Sequence, residues 1–431
     1  MNTSPLQLRL YCVFLSAGLL ISVISSAQND NTTNSSTVQP DFSGKDYNSS
    51  KPVPSTHYRR EWSTPVGINT FYRDSGYQKS LQFGYILLST PKDYKIFDND
   101  PIDLFTRTGL HIGINILCRL QPWKPDSLGW LQMISVNYGV ARGAFNVEYL
   151  GIFHRLVGPW DFLLKGRFDD PAVENYFGTG NETIKPNSRT YNRTKSTRFY
   201  AGTGISRMLT ENHHAELSVF YQTAKVKKTT GRFISESPKI DSSIFTNKNF
   251  AGADAGYRFR KVNDDNFPTK GISFSFGVGY IQTLKENKSL GKVLSSFAFY
   301  IPLGSSFSFA SRVGGATQGN GADFYHLNLL GGYVNLRGYL RERFSGKTSF
   351  YNNNEFRWVT PARISRYSGK IGLLVFFDEG RVWQPGEISN TMHTGYGAGL
   401  IAIPANKMAL TGTFAHSKEN SVIEVKAGMF F

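Results

Sequence analysis

Three short stretches near the C-terminal end of the chain carry residues whose types suit one piece of chemistry. Arg337 stands in Asn335-Leu336-Arg337-Gly338-Tyr339, Glu355 in Asn353-Asn354-Glu355, and Asp378 in Phe376-Phe377-Asp378-Glu379-Gly380. If Glu355 and Asp378 point the same way from neighbouring strands, they set two like charges side by side away from bulk water, and such a pair needs a cation. Arg337 suits that role because its planar fork can bond two carboxylates at once. Gly338 would let its segment bend back towards them, and Tyr339 and Gly380 complete the two stretches. Taken singly, Arg337 is a solvated loop arginine and Asp378 an ordinary rim charge, and residue chemistry alone leaves that reading open.

Catalysis finds little support elsewhere. The 8 histidines are scattered, with no Ser/His/Asp arrangement and no metal-ligand spacing. His213 and His214 are adjacent in a short polar turn, where a solvated pair is the plainer reading. Nor does a Gly-x-Ser-x-Gly, Asp-x-His or Gly-Asn-His-Asp run appear. The expectation is a protein that is not an enzyme and holds neither a cofactor nor a metal.

The elements that would position Arg337, Glu355 and Asp378 follow from patterning along the 431 residues. A basic start at Arg9, an apolar stretch from Leu10 to Ile24 and small residues up to Ala27 predict a secretory signal over residues 1–27, cleaved after Ala27. Export would discard Cys12 and leave Cys118 alone, so no internal disulfide is expected. Residues 28 to about 56 are rich in Asn, Ser, Thr and Pro and cannot bury enough surface to offset the entropy of ordering. They predict a flexible segment which, with a periplasmic lead-in or plug up to residue 80, precedes the folded part.

From residue 81 to 431 the hydrophobic period becomes two, in segments of roughly ten residues, which is the signature of transmembrane β-strands. Ile272, Phe274, Phe276, Val278 and Tyr280 alternate with Ser273, Ser275, Gly277 and Gly279; Phe297, Phe299 and Ile301 alternate with Ser296, Ala298 and Tyr300. A dry core would need bulk where these glycines and serines stand. Beyond the signal, no apolar run approaches the ~18 residues of a membrane helix. The strands expected are 81–89, 104–117, 130–141, 143–154, 160–168, 197–208, 214–226, 250–261, 270–284, 291–302, 305–314, 349–358, 369–379, 393–403, 406–416 and 421–431. That is an all-β, transmembrane antiparallel barrel of about sixteen strands. The long connections 169–196, 227–249 and 315–348 then share the extracellular side.

The last predicted strand places Ile423, Val425, Ala427, Met429 and Phe431 on one face and ends on an aromatic residue. It resembles the signal by which outer-membrane barrels are handed to their insertion machinery, with Ile423, Val425, Met429 and Phe431 as the residues that carry it. The Leu-Arg-Gly-Tyr stretch, the Asn-x-Glu strand and the Phe-Phe-Asp-x-Gly strand, in this order, resemble the bacterial surface antigen domain of the BamA/TamA superfamily of barrel-assembly and two-partner-secretion proteins. Asn175 to Glu182 and Asp265 to Gly271 look similar too. The resemblance implies a sixteen-stranded barrel whose sixth extracellular loop folds into the lumen, docking its arginine on acidic residues of the strands that follow. Leu336 stands where the family usually has Val. Members that fold or secrete other proteins carry periplasmic POTRA modules, for which the residues ahead of the barrel leave no convincing room, so a short, barrel-only member is expected.

The implied function is outer-membrane assembly, or the translocation or insertion of protein or lipid. The alternative is a passive diffusion channel biased to anions by Arg107, Lys165, Arg167, Arg258, Arg260, Arg312 and Arg357, in keeping with a net charge of +16. Expected partners are outer-membrane lipid and lipopolysaccharide, the barrel-insertion machinery during biogenesis, and a polypeptide or lipid substrate. Export to the outer membrane excludes nucleic acid.

Overall fold

The computed structural model describes residues 69–74, 77–86, 102–103, 111–122, 129–139 and 143–431, apart from 187, 189, 239, 287, 365–366, 405–408, 428 and 430. The signal with its Ala27 cleavage site, the polar segment after it and Arg107 lie outside the described residues. In chain order the strands are β1 (Asn69–Asp74), β2 (Tyr77–Ile86), β3 (Ile102–Asp103), β4 (His111–Pro122), β5 (Gly129–Gly139), β6 (Ala144–Val157), β7 (Trp160–Asn175), β8 (Arg193–Thr210), β9 (His213–Val226) and β10 (Asn247–Val262). They continue as β11 (Gly271–Thr283), β12 (Ser289–Pro302), β13 (Phe307–Gln318), β14 (Asn328–Leu330), β15 (Phe344–Gly346), β16 (Thr348–Ile364), β17 (Tyr367–Trp383), β18 (His393–Pro404), β19 (Leu410–Ser417) and β20 (Ser421–Ala427).

Each long strand pairs antiparallel with its neighbours in sequence, through short turns at one end and mostly longer connections at the other. Two departures matter: β2 pairs with β4, and β13 pairs with β16, leaving β14 and β15 as a hairpin of their own. The last strand, β20, pairs with β3 through Lys426 opposite Asp103 and Ala427 opposite Ile102. Since β3 belongs to the connection between β2 and β4, the two ends of the sheet are brought together there, and the architecture is an antiparallel barrel. Each predicted stretch has its strand, in β2, β4 to β13 and β16 to β20. Pairing begins ahead of residue 81, however: β1 and the start of β2 form a hairpin from Asn69, inside the stretch expected to be a lead-in. At six residues β1 is shorter than a membrane-crossing strand of ~9 to 11, so its pattern is too brief to stand out.

The side-chain alternation is that of a protein facing oil. Val219 and Tyr221 on β9, Val278 and Tyr280 on β11, Phe356 on β16, Val375 and Phe377 on β17, and Phe414 on β19 point outward and are exposed. Interleaved positions facing inward are small, polar or charged, as with Ser135, Asn137, Glu216, Ser218, Asn353 and Asp378. In water so wide an apolar surface would aggregate; around a barrel in a bilayer it is the lipid contact. The Tyr221 hydroxyl donates to Asn249 Oδ1 at 3.3 Å and the Tyr280 hydroxyl to Gln282 Oε1 at 2.9 Å, so both rings lie in the belt with polar tips toward its edge. The long connections 176–192, 227–246, 319–347 and 384–392 share one end, and the short links 158–159, 211–212 and 303–306 the other. Among the described residues no helix is long and apolar enough to cross a membrane.

Two outcomes follow. On a gel the unboiled protein migrates apart from the boiled protein, and its circular dichroism is of β type; a predominantly helical spectrum would exclude the barrel. Val375→Arg, on the outward face of β17, destabilises the barrel by roughly 2–4 kcal/mol, the depth-dependent penalty for arginine against lipid, read by denaturant unfolding in liposomes.

Candidate functional site

The period of two decides which groups meet inside. On β16, Asn353, Glu355 and Arg357 face inward and are buried, and on β17 Leu374, Phe376 and Asp378 do so. Glu355 lies opposite Phe376, and Asn353 opposite Asp378. Both carboxylates are thereby carried to the same side of two adjacent strands.

The connection 319–347 supplies the cation by folding into the barrel as a small packed body. Its hairpin β14–β15 places Leu330 and Phe344 with Leu336, Tyr339 and Val382 of β17 in one buried apolar cluster. Asn335 shapes the tip: its Oδ1 accepts the Gly331 N–H at 2.8 Å, its Nδ2 donates to Leu329 O at 2.9 Å, and its own carbonyl accepts Asn353 Nδ2 at 2.9 Å. The tip passes so close to the wall that two glycines become obligatory. Gly338 has φ +88° and a Cβ there would lie 2.8 Å from His416 O; a Cβ on Gly395 of β18 would lie 1.9 Å from Arg337 O.

At this tip Arg337 is enclosed on all sides. Its Nε donates to Asp378 Oδ2 at 2.7 Å, its Nη2 to Asp378 Oδ1 at 2.7 Å and its backbone N–H to Oδ2 at 3.1 Å. Nη1 donates to Glu355 Oε1, and the guanidinium lies over the Phe376 ring, 3.6 Å from its centroid. Arg357 takes the other oxygen of Glu355, Nε to Oε2 at 2.7 Å. Two cations thus match two carboxylates, all four at 1 % exposure or less. Burial opposes the charge on Arg337, and the facing Asp378 and Glu355 carboxylates more than reverse it, holding the guanidinium above its ordinary pKa. The arrangement is a structural lock: every charge is bonded, and nothing in it is set up to move a proton.

Beyond the lock the ionic chain runs on towards the short-turn end. Arg357 Nη1 donates to Pro268 O at 3.1 Å and Nη2 to Phe431 O at 3.2 Å. Pro268 belongs to the turn 263–270, where Asp264 Oδ1 accepts the N–H groups of Asn266 and Phe267, and Phe267 is buried in the interior cluster with Leu374, Phe376 and Met429.

That placement corrects the expectation for the end of the chain. Ile423 is exposed at 76 % and Val425 half-buried, but β20 stops at Ala427. Met429 is buried inside, and Phe431 packs near Tyr300 with the Arg312 and Arg357 guanidinium groups 5.1 and 5.3 Å from its ring centre. Ile423, Val425, Met429 and Phe431 therefore do not share one outward face. The interior apolar cluster and the Arg357 donor draw the last residues in, an attraction that a strand's period cannot register.

The basic interior expected of an anion channel is also largely compensated. Lys165 Nζ lies 2.5 Å from Glu216, Arg167 Nε 2.6 Å from Asp169 and Arg260 Nε 3.2 Å from Asp265, and Arg312 donates to Val334 O and Asn353 Oδ1. Residue reasoning passed over Asn353, Gly395 and Arg343. Asn353 and Gly395 matter only by what lies opposite them, whereas Arg343, six residues after Arg337 in the same connection, had a signal in its position. His213 and His214 stay apart from the lock, on β9, and among the described residues no group of three or more His, Cys, Asp or Glu is placed to hold a metal.

Asp378→Asn strands part of the Arg337 charge in the interior. Breaking such a buried pair from one side costs about 3–5 kcal/mol, and releasing the loop is the cheaper relaxation. Limited proteolysis of the folded barrel should cut within 331–346 in Asp378→Asn and in Arg337→Lys, whose single ammonium cannot serve both carboxylates, and should spare the unaltered protein.

The Omp85 superfamily domain matches residues 145–411, more than half of the chain. No curated protein matches. Among solved structures, BamA from Haemophilus ducreyi lacking POTRA domains 1-3 is similar at 17% identity and a TM-score of 0.52, over 75% of this chain and 66% of that one. CdiB from Acinetobacter baumannii (12% identity, TM-score 0.48, 81% of this chain and 65% of that one) and CdiB from Escherichia coli (12%, 0.47, 73% and 59%) are more distant in shape. The chain thus spans less than two thirds of the length of each of these solved chains. At such identities the likeness to BamA concerns the fold. Together with the family match, the barrel and its inserted loop lead to one assignment: this chain belongs to the Omp85 superfamily of outer-membrane β-barrels.

Proposed function

We propose that this barrel inserts or translocates protein or lipid at the outer membrane by parting its wall rather than by conducting through its centre. The observation that carries the reading is the contrast between two joints. Across β19 and β20 seven residue pairs run from Leu410 opposite Ala427 to His416 opposite Ser421; on the other side of β20, among the described residues, there are only the two pairs with β3. Each pair removed lowers the free energy needed to separate two strands, so the joint of β20 with β3 is where the barrel yields first. The interior, meanwhile, is occupied by the folded-in connection, whose buried charges hold it there. Membership of the Omp85 superfamily supports the same reading.

In this proposal the protein reaches the outer membrane through a signal over residues 1–27 cut after Ala27, and the insertion machinery places it there. Its outward belt contacts lipid and lipopolysaccharide, the transported partner is an unfolded polypeptide or a lipid, and no chemical step is involved. Diffusion of anions through the lumen is the competing reading, and the pairing of its described cations with carboxylates and carbonyl oxygens counts against it.

The test is to close the joint reversibly. In a Cys118→Ser background, Asp103→Cys with Lys426→Cys puts two thiols on directly paired residues, a separation that suits a disulfide. Oxidised protein should fail to support normal levels of other outer-membrane proteins or normal lipid asymmetry in cells depleted of the unaltered protein, and reduction should restore them. If depletion changes neither, or if the oxidised protein works as well as the reduced, the reading fails; an anion conductance that persists in both states would favour the channel.

A further inference from the structure

Arg343 is a buried cation outside the lock, at 2 % exposure, and its bonds all leave its own connection. Nε donates to Glu419 Oε2 at 2.7 Å and Nη2 to Glu419 Oε1 at 2.8 Å, a bidentate grip. Nη1 donates to Thr183 Oγ1 at 2.6 Å and Nη2 to Thr183 O at 2.5 Å. The guanidinium is held between the rings of Phe177 and Phe344, 4.9 and 4.5 Å from their centres. Thr183 lies in the connection 176–192, and Glu419 is in the turn joining β19 to β20.

That turn has further ties to both connections. Ser417 Oγ donates to Gly338 O at 2.7 Å, and Lys185 Nζ donates to Glu419 O at 2.8 Å and to Asn420 Oδ1 at 3.0 Å. The outer end of the last hairpin is therefore fastened to the folded-in connection and to 176–192, while among the described residues the far edge of β20 has two residue pairs to β3. The near edge of the hairpin is held by the eight residue pairs of β19 with β18; on its β20 side, the ties of this turn to the two connections add to the pairs with β3 in holding the hairpin closed.

We infer that Arg343 is a positioning residue: with Glu419 it forms a releasable latch that holds the β19–β20 hairpin in the closed position and sets how often the joint with β3 parts. The inference rests on the reading that this joint opens. Solvent access separates this latch from the Arg337 lock. The side chains of Glu355 and Asp378 are at 0 % exposure, so undoing the lock would strand two charges in the interior. Glu419 is at 22 %; when its grip breaks, the carboxylate swings into water and one charge rather than two is left inside, Arg343 keeping Thr183 and its two aromatic faces. The first device can hold the connection permanently, and the second can let go and re-form.

The thiol pair Asp103→Cys and Lys426→Cys, in the Cys118→Ser background and in liposomes, reports the joint directly as the rate of disulfide formation on a non-reducing gel. Glu419→Gln and Arg343→Gln should slow it by roughly fivefold, as expected for loss of charge-assisted bonds, while the unboiled band keeps its folded mobility. Glu419→Asp, which retains the charge, should stay near the parent rate, a recovery that mere disruption of packing would not give. A folded Glu419→Gln barrel that cross-links at the parent rate overturns the latch; this variant decides alone if Arg343→Gln does not fold. Slowed cross-linking together with undisturbed levels of other outer-membrane proteins on depletion would leave the latch standing and remove the proposed function.

Discussion

A charge taken out of water has to be neutralised where it sits, and this barrel places four of them at one point. Removing a carboxylate or a guanidinium from solvent costs several kcal/mol each, so Glu355 and Asp378 would be untenable on the inner wall if the connection 319–347 stayed outside. Arg337 is untenable at the tip of that connection without them. Each makes the other possible, and Arg357 balances what remains on Glu355. The consequence is geometric: a long surface connection spends its length inside, its apolar residues Leu330, Leu336 and Phe344 packing on Val382 of the wall.

The same constraint ties together the two ends of the barrel. From the tip near Gly338, bonds pass through Arg337, Glu355 and Arg357 to the turn at Pro268 and to Phe431. The lock and the closure of the short-turn end are one set of contacts, with Phe267 and Met429 completing the apolar side. The folded-in connection enters the interior from one end, and Phe267, Met429 and Phe431 enter it from the other.

In the wall, the pairings are unequal. A closed sheet in lipid satisfies its backbone amides through its neighbours; the joints between the long strands are extensive, and among the described residues β20 meets the two-residue β3 in two pairs. The folded-in connection carries two arginines with different surroundings. Arg337 has fully buried partners and Arg343 has one that reaches water, so the same residue type serves permanence in one place and reversibility in the other. Burial of the partner, rather than bond length, makes that difference.

Much of this was legible in the residues, and the reason is periodicity. Alternation of Phe, Val and Tyr with Gly and Ser is imposed by lipid on one face and the lumen on the other, position by position, so each predicted stretch has its strand. The long connections fall on one end for the same local reason. The pairing of Arg337 with Glu355 and Asp378 was readable as a possibility, since residue type and strand parity both permit it. Only the tertiary structure decided the rest. That Arg343 grips Glu419, that Gly395 must have no side chain, that Lys165 and Arg167 are paired, and that Met429 and Phe431 turn inward all depend on residues far apart in the chain becoming neighbours. Period and composition act along the chain, whereas neutralising a buried charge or filling an interior depends on what arrives from across the barrel.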